Sequence, residues 1–196
     1  MEEIRICLVG DTNTGKSTFV NYIKNNNFTE CYRPTIGVEY ITYNDIGCVW
    51  KIWDTSGNIK HNPIILPYFK LANLFILFFD INNIASFLSL KERIKYINHE
   101  SNSRNHNIIL VGNKSDLLKN INQSDINTFC NEYNIDYIEI SIKNFNNIGQ
   151  INNKINNYLK ERELKNQIEL KYIHNDYEIL LENEINHNRC CKCNIL

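Results

Sequence analysis

Gly10-Asp11-Thr12-Asn13-Thr14-Gly15-Lys16-Ser17 stands between an apolar, strand-length run, Ile4-Arg5-Ile6-Cys7-Leu8-Val9, and a helix-length segment over residues 16–24. The spelling is GxxxxGK[ST], and its setting supplies the chemistry. The N–H groups of a glycine-rich loop and of the following helix N-terminus surround a β-phosphate. A lysine neutralises the β and γ oxygens, and a hydroxyl after it ligates Mg²⁺. Asp11, Thr12, Asn13, Thr14, Gly15, Lys16, Ser17 and Thr18 are therefore candidate phosphate-binding residues.

The same strand-then-helix rhythm runs along the chain. Residues 74–80, 108–112 and 137–140 are apolar runs bounded by turn or polar residues, as in strands buried on both faces of a parallel sheet. Residues 85–98, 124–133 and 148–163 have helical length and pattern between or after them. The alternation predicts right-handed crossovers and a doubly wound α/β fold. One region departs from it: residues 38–43 and 48–53 flank Asn44-Asp45-Ile46-Gly47, which reads as an antiparallel hairpin. The expected fold is a P-loop domain with a six-stranded mixed sheet flanked by five helices. Ligands of such sheets sit at the C-terminal ends of the strands, where the loop at 10–17 falls.

Length and composition agree with that plan. The 196 residues suit one compact domain plus an extension, and 43% hydrophobic content is globular. A net charge of −1 offers no field for nucleic acid. The N-terminus lacks a basic region followed by a secretory apolar stretch, and no run is long enough to span a bilayer. The expected location is cytoplasmic. The five histidines form no metal-binding or catalytic spacing. Asparagine (34 residues) and isoleucine (31) are abundant, which weakens any motif resting on a single Asn.

Two further motifs lie after strands. Asp54-Thr55-Ser56-Gly57 follows the second hairpin strand; its Asp can hold Mg²⁺ through water, and the Gly57 N–H can meet a γ-phosphate. Asn113-Lys114-Ser115-Asp116 follows the run at 108–112. A carboxylate there accepts two hydrogen bonds from guanine N1–H and its 2-amino group, an arrangement that adenine does not supply. This motif points to GTP rather than ATP and argues against a P-loop kinase.

The spacing of these three motifs, with Thr35 between the first two, resembles the Ras superfamily of small GTPases over roughly residues 3–163. Tyr32-Arg33-Pro34-Thr35-Ile36-Gly37-Val38-Glu39-Tyr40 resembles the first switch of the Rab family, and the segments 51–57, 68–69 and 112–117 also follow Rab spellings. The resemblance implies a GTP/GDP switch in membrane trafficking that hydrolyses GTP. Mg²⁺ would be held by Ser17, by Thr35 in the GTP state and indirectly by Asp54. Phe28 would pack on the guanine edge, and Tyr32 would lie beside the nucleotide. Ser141, Ile142 and Lys143, within Glu139-Ile140-Ser141-Ile142-Lys143, resemble the family's loop beside the base; the Ile142 N–H would contact guanine O6. An exchange factor, a GTPase-activating protein and effectors would engage the two switches, and a prenyl-binding chaperone of the escort or GDI type would handle the lipidated chain.

The second switch departs from the family. Asn58 stands where Gln orients the attacking water, Ile59 follows where Glu is usual, and His61 replaces an aromatic. Asparagine is one methylene shorter, and a misplacement of about 1 Å can cost ~10²-fold in rate. The catalytic set would be Asn58, Gly57, Lys16 and Thr35, with slow intrinsic hydrolysis. A switch with negligible hydrolysis and a Ras- or Rho-like signalling GTPase are the alternatives.

The chain ends Cys190-Cys191-Lys192-Cys193-Asn194-Ile195-Leu196. A terminal Leu in a C-a-a-X box favours geranylgeranylation of Cys193, with Cys191 or Cys190 taking a second lipid; two lipids give lasting anchorage. The expected division is a G domain over residues 1–165 and a variable, flexible tail over 166–196. The protein would sit peripherally on the cytosolic face of an intracellular membrane.

Overall fold

The computed structural model describes residues 2–30, 33–45, 47–101, 107–165 and 167. The expected contacts of Tyr32 and the lipidation cysteines 190, 191 and 193 fall outside them. The chain divides into two compact units, residues 1–154 and 155–196. The described residues of the second, 155–165 and 167, are helical.

Within the first unit, six strands form one sheet: β1 (Glu2–Gly10), β2 (Val38–Asp45), β3 (Cys48–Thr55), β4 (Leu74–Asp80), β5 (Asn107–Asn113) and β6 (Asp136–Glu139). Their spatial order is β2-β3-β1-β4-β5-β6. Only the β2–β3 pair is antiparallel; the other four pairings are parallel. β4, Leu-Phe-Ile-Leu-Phe-Phe-Asp, is buried at every position because both its neighbours and both its faces are covered. The C-terminal ends of β1, β3, β4, β5 and β6 open on one edge of the sheet, and the segments 10–17, 54–57, 113–116 and 139–143 start there.

Five helical segments pack around the strands. α1 (Lys16–Asn25) follows the first loop and brings Phe19 onto Phe78, with ring centres 5.6 Å apart. α2 (Asn62–Phe69), α3 (Ile84–Leu88), α4 (Leu90–Glu100) and α5 (Gln123–Tyr133) follow in order. A further helix begins at residue 149. α3 and α4 are separated by one residue, Ser89, and occupy the place of one interrupted helix, so the described helices number five in the sense expected. α2 to α5 cover a shared apolar cluster that includes Trp53, Phe69, Phe75, Phe79, Phe87, Ile94 and Phe129. Burying side chains of this size contributes roughly 1.5–3 kcal/mol each before entropy is counted.

Three details differ from the sequence-based expectation. The hairpin strands run to Asp45 and Cys48, which pair, so the turn is tighter than a four-residue loop; Gly47, at φ 79°, supplies the left-handed conformation. The expected helix at 85–98 breaks at Ser89, whose neighbour Ser86 turns its hydroxyl onto the Asn83 and Asp80 carbonyls. α2 is not among the helix-length segments named from the sequence, and it forms although it holds Pro63 and Pro67. Pro63 lies in the first turn, where no N–H is needed, while Ile65 and Phe69, four apart, bury the inner face.

Candidate functional site

Gly10 ends β1 and Gly15 precedes α1 with φ 105°, so the chain turns tightly enough for the loop N–H groups to converge. Gly15 also leaves room for its neighbour: a Cβ there would lie 2.0 Å from Asn113 Nδ2. Lys16 is buried, and its ammonium donates to the Gly10 and Asp11 carbonyls at 2.9 and 2.8 Å. Those contacts fold the side chain back over the loop, aimed at the space the loop encloses. Burial brings its pKa down to about 8, against the opposing pull of Asp54. Such an ammonium gains strongly from an anionic partner.

Beside it, Ser17 and Thr35 hydroxyls lie 2.7 Å apart, and the Thr35 hydroxyl donates to Asp54 Oδ2 at 3.5 Å. The other Asp54 oxygen, Oδ1, is buried without a hydrogen-bond partner. Burial raises the Asp54 pKa, and hydrogen bonding from Ser17 and the Lys16 charge oppose that rise. An orphaned buried carboxylate oxygen next to two hydroxyls is a hard, oxygen-only donor set, which suits Mg²⁺. The residues present thus fit the cation the family implies. Thr12, Asn13, Gly15, Lys16, Ser17, Thr18, Thr35, Thr55 and Gly57 line one small cavity at this end.

The base end is a cavity of about 260 Å³ lined by Asn13, Gly15, Thr18, Phe28, Thr29, Glu30, Asn113, Lys114, Asp116, Leu117, Ile142 and Lys143. Ser141, buried after β6, donates its hydroxyl to Asp116 Oδ1 at 2.5 Å and so holds that carboxylate in place. Asn113 ties the two ends together. Its Nδ2 donates to the Thr14 carbonyl at 3.0 Å and its Oδ1 accepts from Ile142 N–H at 3.3 Å. Lys114 pairs with Asp80 at 2.7 Å. Lys143 pairs with Glu30 at 3.3 Å across the mouth of the cavity.

Of the two switch residues expected near the phosphates, Gly57 lines the phosphate-end cavity and the Asn58 side chain is exposed. Gly57 packs so closely that a Cβ would lie 2.1 Å from the Thr12 nitrogen. Asn58 is exposed; its side-chain oxygen accepts from Lys60 N–H at 3.0 Å and caps a short 3-10 turn, Ile59–His61. Sequence reasoning missed Arg93. This α4 residue is buried, and its Nη2 donates to Asp11 Oδ1 and to the Gly57 carbonyl, each at 2.8 Å. A signal was available: Leu90, Arg93, Ile94 and Ile97 share one helix face, and a charge at a core-facing position demands a buried partner. His61 was also underread; its Nδ1 lies 2.7 Å from the Ser56 hydroxyl.

Phosphate loop, hydroxyl–carboxylate cluster and a cavity of about 260 Å³ beside Asp116 on one sheet edge describe the nucleotide site of a G domain. The Ras family model matches residues 5–161, and the chain belongs to the Ras family. Within it the chain is a Rab-like small GTPase. It is 32% identical over 160 residues to the Ras-related protein Rab-32D of Dictyostelium discoideum, covering 76% of this chain and 70% of that protein. It is 33% identical over 158 residues to the Ras-related protein Rab-5B of Plasmodium falciparum, covering 78% and 76%. It is 31% identical over 160 residues to the GTP-binding protein YPT53 of Saccharomyces cerevisiae, covering 76% and 72%. Among the described residues, no helix is long and apolar enough to cross a membrane.

Proposed function

We propose that this GTPase is a slow, Mg²⁺-dependent, lipid-anchored trafficking switch. The observation that carries the slow rate is the Asn58 carboxamide: it is short, exposed and engaged with Lys60 N–H rather than turned to the phosphate end. Lys16 would hold the β and γ oxygens, the Gly57 N–H would sense the γ-phosphate, and Asp116 with Ser141 would read guanine. Ser17, Thr35 and Asp54 would hold Mg²⁺, which supplies charge neutralisation across the phosphates when bound. Phe28, Lys114, Ile142 and Lys143 would enclose the base.

Ser56 N–H donates to the Gly37 carbonyl at 2.8 Å, which couples the two switches directly. Loss of the γ-phosphate would release Thr35 and, through this contact, the second switch, so that effectors prefer one state. Exchange factor, GTPase-activating protein and effectors would meet the exposed Ile36, Tyr40, Ile59 and Ile64. The G domain would span residues 1–165. The tail, 166–196, would carry lipid on Cys193 with Cys191 or Cys190, placing the protein on the cytosolic face of an intracellular membrane, where a GDI-type chaperone extracts it.

The test is single-turnover GTP hydrolysis by the wild type and Asn58→Gln, with the co-purifying nucleotide identified by chromatography. Guanine nucleotide is expected, with a slow wild-type rate that the substitution raises roughly tenfold or more, since about an ångström of reach is restored. An ordinary small-GTPase rate, unchanged by Asn58→Gln, would sink the account of the second switch.

A further inference from the structure

We propose that Arg93 is a positioning residue for GTP hydrolysis, bracing the start of the second switch against the phosphate loop through Gly57 and Asp11. The inference rests on the GTPase reading above and assigns a part in it to a helix outside all of the nucleotide motifs.

The geometry is specific. Arg93 projects from the apolar face of α4, between Leu90 and Ile94, with its side chain 7% exposed. One nitrogen, Nη2, divides its protons between a carboxylate of the phosphate loop and the carbonyl of Gly57. Both acceptors lie in loops, so neither position is set by a helix or a strand ladder. The Asp11 main chain is fixed in turn: its carbonyl accepts from the Lys16 ammonium and from the Thr14 hydroxyl at 2.9 Å. Arg93 thus links Gly57 to the same residue that positions the phosphate-binding lysine.

The Gly57 carbonyl and the Asn58 N–H belong to one peptide unit. Arg93 holds one end of that unit, and the Ser56 hydroxyl accepts from the other at 3.3 Å. Fixing the plane fixes where the Asn58 Cα stands and how the preceding Gly57 N–H faces the phosphates. A charged donor on a neutral carbonyl is among the stronger hydrogen bonds, and here water is largely excluded. The close packing of Gly57 on Thr12 leaves no slack for the loops to separate while the brace stands. The Arg93 charge also acts on the Lys16 ammonium, which locates the guanidinium close to the phosphate end.

A neutral residue of similar volume in this place would fill the same space in the core without holding the peptide. The consequence is kinetic. Loosening the Gly57–Asn58 peptide by a fraction of an ångström to an ångström lowers the hydrolytic rate more than it lowers binding of the diphosphate, which has no γ-phosphate to meet Gly57.

The experiment compares the full chain with Arg93→Met, Arg93→Lys, Asp11→Asn and the double variant Arg93→Met/Asp11→Asn. Single-turnover hydrolysis, GDP dissociation and amide exchange over residues 55–60 are measured, the last on both GDP-loaded and nucleotide-free protein. Arg93→Met is expected to slow hydrolysis roughly tenfold, to change GDP dissociation by less than about threefold, and to speed exchange of the Gly57–Lys60 amides. Arg93→Lys should recover part of both effects, because an ammonium can still donate to one acceptor. Asp11→Asn should cost less than Arg93→Met, since the Gly57 bond survives it. Were Arg93→Met unable to fold, the double variant leaves no unpaired buried charge and carries the same comparison. The brace is overturned if Arg93→Met, or the double variant in its place, hydrolyses GTP at the wild-type rate with unchanged exchange at 55–60. It is equally overturned if hydrolysis and GDP binding fall together while amide exchange speeds up across the whole chain, the signature of general loosening. A wild type that binds no guanine nucleotide removes the proposed function itself, an outcome separable from both.

Discussion

Lys16 carries the plainest residue-scale consequence. Its ammonium is buried, and the resulting pKa of about 8 lies below the ordinary lysine range. In the unloaded chain the folded state gives up this proton more readily than the unfolded one. The Lys16 contribution to stability therefore grows as pH rises from about 8 toward the ordinary lysine pKa. Nucleotide binding runs the other way. Phosphates beside Lys16 raise its pKa, so the bound form holds more protons and GDP affinity falls as pH climbs above 8, approaching one decade per pH unit. Titrating GDP dissociation constants from pH 7 to 9.5 measures this; Lys16→Arg, always protonated, should flatten the curve even if it binds more weakly. A flat wild-type curve would mean that Lys16 stays charged throughout. At the same scale, Lys16, Ser17 and Asp116 stand out in the chain as candidate ligand-binding residues because their spellings are local. Arg93 was not, because its partners stand 82 and 36 residues away.

Among the elements, α2 departs furthest from what its composition suggests. It carries Pro67 in its interior, which removes one donor from the helix ladder, and Pro67 itself is exposed. The helix persists because Ile65 and Phe69 are buried, and Tyr68 touches Trp53, with ring centres 6.1 Å apart. Packing overrides propensity here, as it routinely does for short helices. Pro67→Ala should return an N–H for the Pro63 carbonyl and stabilise the element by ~1–3 kcal/mol locally, the upper end being the proline penalty in a helix interior. The readout is slower amide exchange across α2, with the rest of the domain unchanged. Exchange that stayed the same would show the proline to be neutral in this setting.

Across the whole molecule, the nucleotide site exists only because parallel strands deliver their C-terminal ends to one edge. Asp116 follows β5 and Ser141 follows β6, yet the hydroxyl of one meets the carboxylate of the other. The base selection proposed for Asp116 and Ser141 would therefore depend on the β5–β6 pairing as much as on either residue. Asp116→Ala should cost about 2–3 kcal/mol of guanine binding, the value of hydrogen bonds to a charged group, or roughly 30- to 150-fold in GDP affinity. ADP binding should stay as weak as before, and the melting temperature should change little because Asp116 is exposed. Competition binding with GDP and ADP checks both; undiminished GDP affinity would move base recognition elsewhere.

What the chain alone determined were the features carried by contiguous residues. These are the phosphate loop with its flanking strand and helix, the six strands read from apolar runs and one hairpin, and the Asn-Lys-Ser-Asp spelling at 113–116 to which guanine reading is assigned as a proposal. Each depends on periodicity or on a motif of a few residues, which short-range sterics and hydrogen bonding translate into structure directly. Tertiary structure decided the rest: that α2 is a helix despite two prolines, that the Asn58 carboxamide caps Lys60, and that a buried arginine on α4 joins the two phosphate-end loops. Those outcomes depend on which surfaces meet after the sheet has formed. Their energies come from desolvation and from partners distant in sequence, and no local pattern encodes such a meeting.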